Sequence, residues 1–178
     1  LTSSGYPSIV KSWRRGTPLA QAATLFEGEV TDVSVDGTVD QSREHHRELI
    51  RRSTTFYTGQ NYLYAGQPVR LDVPDDATIG SFKNEMLIHL RTDWTVGGTT
   101  YPSDALLTMP WQAFLDGKRD FAVLFSPTPR TTLSSYSPTR NHLLLNVLDN
   151  IRSRIYVLTP RDGTWTQAEL TTPEIGTT

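Results

Sequence analysis

The chain has 178 residues and a formal net charge of −2, and it contains no cysteine. A chain of this length forms one domain or slightly more and can bury a hydrophobic core. The near-neutral charge gives no general argument for nucleic acid or an anionic membrane as a partner. The lack of cysteine excludes disulfides and thiolate metal sites, and no apolar run approaches the roughly 20 residues that span a bilayer.

Short apolar runs bounded by turn residues recur along the whole chain, with the length and composition of β-strands. An incomplete first set reads "YPSIVKSW" and "ATLFEG" and closes at Gly28. The next set, which closes at Pro74, reads "VTDVSVDG", "HRELIRRSTTF", "QNYLYAG" and "PVRLDVP". The third, which closes at Pro127, reads "TIGSF", "NEMLIHLRTDW", "SDALLTMPW" and "DFAVLFSP". The last, which closes at Pro173, reads "TTLSSYSPT", "HLLLNVLD", "SRIYVLTP" and "TWTQAEL".

The closing residues define a repeat with steps of 46, 53 and 46 residues. Four strands repeating at about 40 to 50 residues are typical of β-propeller blades. The longest step contains "RTDWTVGGTTYPSDALL", in which the adjacent Gly97 and Gly98 predict an added hairpin loop. We therefore predict an all-β fold, a partial β-propeller of about three and a half four-stranded antiparallel blades. The predicted boundaries are a half blade over residues 1–28 and blades over about 29–74, 75–127 and 128–173.

The most apolar stretch, Asn141 to Pro160, fits two structures. Spacings of three and four predict one amphipathic helix with a face formed by Leu144, Leu148, Ile151, Ile155 and Leu158. Alternation on both sides of the turn-forming pair Asp149 and Asn150 predicts two antiparallel strands instead. Periodicity alone does not decide between them.

The repeat decides in favour of the hairpin, because it places this stretch in the second and third strand positions of a four-strand unit. Strands covered on both faces carry near-continuous apolar runs. We therefore expect Leu145, Val147, Ile155 and Val157 to be buried between sheets.

Three segments resemble the N-terminal β-propeller of bacterial prolyl oligopeptidase family proteins: "SGYPSIVKSWRRGTPLAQAATLFEG", "RTDWTVGGTTYPSDALL" and "FSPTPRTTLSSYSPTRNHLLLNVLDNIRSRIYVLTP". The resemblance runs along nearly the whole chain and is most specific from Arg140 to Pro160. It implies a fragment of a seven-bladed propeller that caps a C-terminal α/β-hydrolase domain carrying a Ser-Asp-His triad. In that family the propeller limits access to the triad to peptides of limited size.

The family's catalytic motif does not occur in this chain. A G-x-S-x-G elbow presents the serine between a strand and a helix. Here Ser81 follows Gly80, but Phe82 and Lys83 come next and no glycine completes the elbow. No serine and acid in a recognisable context match the four histidines, His45, His46, His89 and His142. We therefore expect no catalytic, cofactor-binding or metal-binding residue in this chain.

The expected partners follow from the resemblance: the hydrolase domain of the same parent protein and the peptide substrates of that protein, with neither nucleic acid nor membrane. The expected location is the cytoplasm, with the periplasm as the alternative. Because a cut ring leaves terminal blade faces uncovered, we expect the fragment to self-associate. The alternative function is a stand-alone propeller or β-sandwich that binds proteins.

Several polar clusters have simpler explanations than a site. In "SREHHRELIRR", adjacent His45 and His46 diverge in a strand or a helix, so they cannot share a metal, and a solvated loop is expected. "KSWRRGTP" predicts an exposed basic turn, and "DVSVDGTVD" has Ser34 where a calcium loop needs an acid or amide. Its acids, and Asp75 and Asp76, are expected at turns and strand ends. Packing between blades is expected of the tryptophans Trp94, Trp111 and Trp165.

Overall fold

The computed structural model describes residues 1–41 and 45–171. Its regular elements in these ranges are antiparallel β-strands, one short α-helix and one 3-10 turn, which confirms the all-β fold class. The chain divides into two compact units, Leu1–Ala77 and Thr78–Thr178. Within the described ranges, no helix has both the length and the apolar character needed to cross a bilayer.

The first unit begins with a two-stranded hairpin. Strand β1 (Ile9–Ser12) pairs antiparallel with β2 (Ala23–Glu27), and a 3-10 turn at Leu19–Gln21 lies between them. Trp13 in the connection is 48% exposed, and its indole N–H donates to the carbonyl of Thr17. The predicted exposed turn at "KSWRRGTP" is therefore confirmed.

A four-stranded antiparallel meander follows in the first unit. Its strands are β3 (Ser34–Asp40), β4 (Arg47–Ser53), β5 (Gly59–Tyr64) and β6 (Pro68–Arg70), paired in chain order. Alternating positions point to opposite faces of a strand, so only some of its apolar residues reach the core. The buried apolar side chains of this unit are Val35, Ile50, Leu71 and Ala77.

The second unit begins with six strands: β7 (Thr78–Phe82), β8 (Glu85–His89), β9 (Trp94–Val96), β10 (Thr99–Tyr101), β11 (Leu106–Pro110) and β12 (Ala122–Phe125). Four of them form one antiparallel sheet in the order β12-β11-β8-β7, and β9 and β10 form a separate hairpin. Gly97 and Gly98 connect that hairpin with φ of 58° and 78°. Two positive φ values in a two-residue loop favour glycine, and the predicted added hairpin is confirmed.

One helix was missed by sequence reasoning, which treated Trp111 as the end of a strand. Helix α1 (Trp111–Leu115) follows β11 directly. Trp111 and Phe114 are each 3% exposed, and their three-residue spacing places both on one helical face. A single helical turn is too short to produce a periodic pattern that stands out from its neighbouring strands.

The last sheet is again a meander. Its strands are β13 (Thr131–Pro138), β14 (Leu143–Asp149), β15 (Arg152–Arg161) and β16 (Thr164–Leu170), paired in chain order. The pairing of β14 with β15 confirms the hairpin prediction for Asn141 to Pro160. The helical alternative would have made Ile151 a core residue, whereas it lies in the turn and is 96% exposed.

Core packing in the second unit joins the last sheet to the sheet before it. Leu145 and Val147 are 1% and 2% exposed, as predicted. The side chains they join are contributed by strands of both sheets. The buried members of this cluster are Phe82, Leu87, Leu106, Leu124, Leu133, Leu143, Leu145, Val147 and Leu158.

The predicted burial of Ile155 and Val157 is wrong, because both are only half-buried. They pair across the hairpin with Asn146 and Leu144, whereas Leu145 pairs with Tyr156. Since neighbours on a strand face opposite sides, Ile155 and Val157 lie on the face turned away from the cluster. Each complete predicted four-run set contains one four-stranded sheet, but the division into blades stays a prediction.

Candidate functional site

One polar arrangement in the second unit is centred on Asp104. Its Oδ1 lies 2.9 Å from Nε2 of His89, at the end of β8. Its Oδ2 accepts hydrogen bonds from the Thr132 hydroxyl at 2.7 Å and from the Leu133 N–H at 2.9 Å. Burial raises the pKa of Asp104, but the hydrogen bonds from Thr132, His89 and Leu133 outweigh it and hold the pKa below its ordinary value.

This arrangement has an acid, a histidine and a hydroxyl, but it is connected differently from a catalytic triad. In a triad the hydroxyl donates to the histidine, and the histidine donates to the acid. Here the hydroxyl of Thr132 donates to Asp104, as the geometry of Oδ2 shows. Asp104 therefore does not activate this hydroxyl through His89; it cross-links the turn before β11 to the start of β13.

Sequence reasoning missed the Asp104 cross-link because its partners are far apart along the chain. His89 precedes Asp104 by 15 residues and Thr132 follows it by 28. The local feature that sets Asp104 apart is its backbone conformation, with a φ of 68°. Asp tolerates this left-handed region better than most residues.

A cleft of about 330 Å³ in the second unit lies between the sheet of β8, β11 and β12 and the β15–β16 turn. Glu85 lines it and accepts a hydrogen bond from the Thr108 hydroxyl at 3.1 Å. Burial raises the pKa of Glu85, and this hydrogen bond opposes the rise. Asp120, Asp162 and Arg161 also line the cleft, so its ionisable lining has three carboxylates and one guanidinium. Such a lining favours cations over anions.

The possible metal ligands do not converge in the part of the chain that the structure describes. No group of three or more His, Cys, Asp or Glu there is placed to hold a metal ion. His46 Nε2 lies 3.4 Å from Glu48 Oε1, and both line an open cleft of about 430 Å³ in the first unit. Glu44, another acid of this segment, lies outside the described residues.

Two acids of "DVSVDGTVD", Asp32 and Asp36, form hydrogen bonds with nearby protein groups. Asp32 is 3% exposed, and its Oδ2 accepts from Arg52 Nε at 2.8 Å and from the Glu29 N–H at 2.7 Å. Burial raises the pKa of Asp32, but these two hydrogen bonds lower it below the ordinary value. Asp36 accepts from the Ser34 hydroxyl at 2.8 Å. These contacts fit structural roles and not a calcium loop.

The three tryptophans expected to pack between blades are all in contact with, or buried among, other side chains. The Trp165 ring lies 5.7 Å from the ring of Phe82, so it packs between the two four-stranded sheets of the second unit, as expected. Trp94 lies 5.3 Å from Phe121, which directly precedes β12, so this contact is within one predicted blade and not between two. Trp111 is buried on α1.

Ser81 lies within β7, and its Oγ is buried without a hydrogen-bond partner among the described residues. A position inside a strand is not an elbow.

One exposed aromatic pair was also missed by sequence reasoning. Phe56 and Tyr57 are 79% and 81% exposed in the β4–β5 turn. The turn is held by Thr55, whose hydroxyl accepts from the Thr58 N–H at 3.0 Å and from the Tyr57 N–H at 3.1 Å. Exposed aromatic side chains on an ordered turn are suited to contact with another molecule, because aromatic residues dominate binding hot spots.

Comparison with known proteins gives two curated relatives. No known family model matches the chain. An uncharacterized peptidase of Sinorhizobium fredii is 29% identical over 99% of the chain, and one of Rickettsia prowazekii is 28% identical over 94%. The alignments cover 26% and 25% of those proteins, so the chain spans about a quarter of their length.

A solved structure is also similar. A post-proline cleaving enzyme from Rickettsia typhi matches 97% of this chain with a TM-score of 0.88 and 25% sequence identity. The match covers 27% of that enzyme, in agreement with the share of the curated relatives. The likeness therefore extends over nearly all of this chain and over a minor part of a much longer protein.

Proposed function

We propose that this chain is a non-catalytic part of the β-propeller of a serine peptidase of the prolyl oligopeptidase family, since its relatives are peptidases and the similar solved structure is a post-proline cleaving enzyme. The carrying observation is the structural match of 97% of the chain to 27% of a post-proline cleaving enzyme. Hydrolysis, in this proposal, is performed by an α/β-hydrolase domain of the same parent protein. The role of this segment is to limit the size of peptides that reach that domain.

The strand order supports the propeller assignment. Antiparallel meanders of four strands are the units from which propellers are built. The described residues contain three such sheets and two two-stranded sheets, β1 with β2 and the inserted hairpin β9 with β10. We assign the β1–β2 sheet to half a blade at residues 1–28 and the four-stranded sheets to blades at about 29–74, 75–127 and 128–173 of a seven-bladed ring.

The polar geometry supports the absence of chemistry in this segment. The Thr132 hydroxyl near a His–Asp pair donates to Asp104 and is not activated by His89. The half-buried carboxyl of Glu85 has the Thr108 hydroxyl as its donor, and that hydroxyl also lies 3.0 Å from the carbonyl of Met86. Neither arrangement pairs a nucleophile with a base, which covalent catalysis needs.

Size selection is tested in the full-length parent protein with Asp104→Asn, which weakens the contact between two proposed blades. We expect kcat/KM for a short proline-containing peptide to stay the same, and cleavage of the same sequence within a long unfolded polypeptide to increase. The control is Ile151→Ala, at a 96% exposed turn position of the next sheet. An unchanged ratio between the cleavage rates of the long and the short substrate in the Asp104 variant would count against gating by this segment.

A stand-alone interaction module is the second candidate, and the exposed Phe56 and Tyr57 are the observation that favours it. The reading frame beyond Thr178 separates the two candidates. Further blade-like sequence followed by a G-x-S-x-G elbow supports the peptidase, and a stop codon shortly after Thr178 supports the module.

A further inference from the structure

The last strand of the last sheet, β16, pairs with a neighbour on one side. Its seven residues are in continuous antiparallel register with β15, and among the described residues no strand pairs with its other edge. Six of the seven are exposed, and Trp165 is half-buried. The unpaired edge of a strand presents backbone N–H and C=O groups that can pair with a further strand. We call this row of backbone groups the free edge of β16.

The last strands of the other two four-stranded sheets have features that hinder such pairing. Strand β6 has three residues and begins with Pro68, which has no N–H to donate. Strand β12 has four residues, and its register with β11 is interrupted by a shift. The rings of Trp94 and Tyr101 in the β9–β10 hairpin also pack on Phe121, immediately before β12. Propellers ordinarily leave only short, protected edges, so the long and regular β16 is the exception among these three strands.

The free edge of β16 stays accessible in the proposed ring. The two four-stranded sheets of the second unit converge at β7 and β13, where a Cβ on Gly80 would lie 2.6 Å from the Tyr136 hydroxyl oxygen. Elsewhere a cleft of about 330 Å³ lies between β12 and the β15–β16 turn. Sheets arranged around a central channel are closest to each other beside that channel, which places β16 at the periphery. A further blade would therefore cover a face of this sheet and not the free edge.

The sequence of β16 is complementary to itself in one antiparallel register, which pairs all seven residues. The opposed pairs are Gln167 with Gln167, Trp165 with Glu169, Thr166 with Ala168, and Thr164 with Leu170. Like charges directly opposite each other destabilise a sheet. None are opposed here, because Glu169 is the one charged residue of β16, and it also forms an ion pair with Arg154 at 2.8 Å. At the centre, two glutamine amides can each donate and accept a hydrogen bond.

We propose that β16 pairs with β16 of a second copy of this chain, antiparallel and around a two-fold axis at Gln167. A two-fold interface brings the same segment of both copies together, so the residue at the axis meets its own counterpart. The pairing joins two four-stranded sheets into one continuous sheet, and main-chain hydrogen bonds supply the affinity. The inference uses the proposed ring to place β16 at the periphery, and it is independent of any peptidase activity.

Charge substitutions at the axis test the pairing in the full-length parent protein, in which the proposed ring is complete. Gln167→Lys and Gln167→Glu each oppose two like charges and should weaken the dimer about fivefold or more. A mixture of the two variants opposes a cation with an anion and should restore the dimer, as measured by sedimentation velocity over a micromolar concentration series. Ile151→Lys is the matched control, at a 96% exposed turn position of the same sheet, and should leave the dimer intact.

Cysteine substitutions test the register. The Gln167→Cys variant should form an intermolecular disulfide under mild oxidation, because directly opposed residues of antiparallel strands lie within disulfide reach. Thr166→Cys alone should not link to itself, whereas a mixture of Thr166→Cys and Ala168→Cys should link, because these two positions are opposed in the proposed register. Mass spectrometry of a mixture of isotope-labelled and unlabelled protein identifies the links that join two copies.

Because Gln167 is exposed, its substitution removes no buried contact, and circular dichroism establishes that each variant is folded. Three results would overturn the proposal. One is a parent protein that is monomeric at every concentration. Another is a dimer that the folded Gln167→Lys and Gln167→Glu variants leave unchanged. The third is a Gln167→Cys link that forms in the isolated chain but not in the parent protein, or that joins β16 to a different protein.

Discussion

The two faces of the β13–β16 sheet are built from the same strands but have different surroundings. Leu143, Leu145 and Val147 alternate with Leu144 and Leu148 along β14. The first three are at most 2% exposed within a nine-residue cluster, whereas the other two are half-buried. Apolar character alone therefore does not tell which face of a strand is covered.

The largest effect is expected from truncating adjacent leucines on the two faces. Leu145→Ala removes a 1% exposed side chain from the cluster and should cost about 2–5 kcal/mol of the free energy of unfolding. Leu144→Ala, on the half-buried face, should cost about 1 kcal/mol at concentrations where the chain is monomeric. Denaturant unfolding of both variants in parallel measures the difference. Equal losses would show that the two faces are not distinguished as described.

A smaller effect is expected from weakening the Asp104 cross-link between the turn before β11 and the start of β13. Asp104→Asn keeps the size of the side chain and tolerates the positive φ, but it removes the charge that accepts from Thr132 and Leu133. We expect a loss of about 1–3 kcal/mol at neutral pH, as for hydrogen bonds to charged groups. The matched control is Asp162→Asn, at an exposed turn position with a φ of 49°, which should cost little.

The Asp104 variant should also change how stability depends on pH. The folded-state pKa of Asp104 is lowered, so its contribution is present above the unfolded pKa of about 3.9 and is lost as the pH falls through the folded value. The difference between the unaltered chain and Asp104→Asn should therefore shrink in acid. A difference in the free energy of unfolding that stays constant down to the lowest pH at which the chain is folded would contradict an ionic role for this carboxylate.

The smallest effect is expected at Glu85, where the sign is opposite. Burial raises the folded-state pKa of Glu85, so its favourable contribution is present below the unfolded pKa and is lost as the pH rises through the folded value. Glu85→Gln should therefore stabilise the chain slightly at neutral pH and have no effect in acid. Thermal unfolding at both pH values measures the change. A destabilised variant at neutral pH would show that the charge of Glu85 is compensated in the folded chain.

The strands were predictable from the sequence because local chemistry specifies them. Asp149 and Asn150 indicate a turn, and Asn150 adopts a φ of 55° at that position. Gly97 and Gly98 similarly specified the added hairpin. The α1 helix was not predictable in this way, because Trp111 and Phe114 provide only one turn of helical spacing.

The contacts that join sheets were not predictable, since they depend on tertiary structure. Ile155 and Val157 are of the same apolar type as buried strand residues, and only the register assigns them to the face turned away from the core cluster. Asp104 reaches Thr132 over 28 residues, and no spacing rule connects them. For the candidate site, the sequence placed Asp32 at a turn, but it did not reveal the ion pair that this buried carboxylate forms with Arg52.

The central claim, that this segment has no catalytic machinery of its own, is tested most directly by covalent labelling. The purified chain is incubated with a serine-directed organophosphorus probe and then analysed by intact mass spectrometry, alongside an assay with a chromogenic proline-containing substrate. We expect an unchanged mass and no turnover above buffer. Stoichiometric labelling of one serine, together with turnover that the probe abolishes, would contradict it.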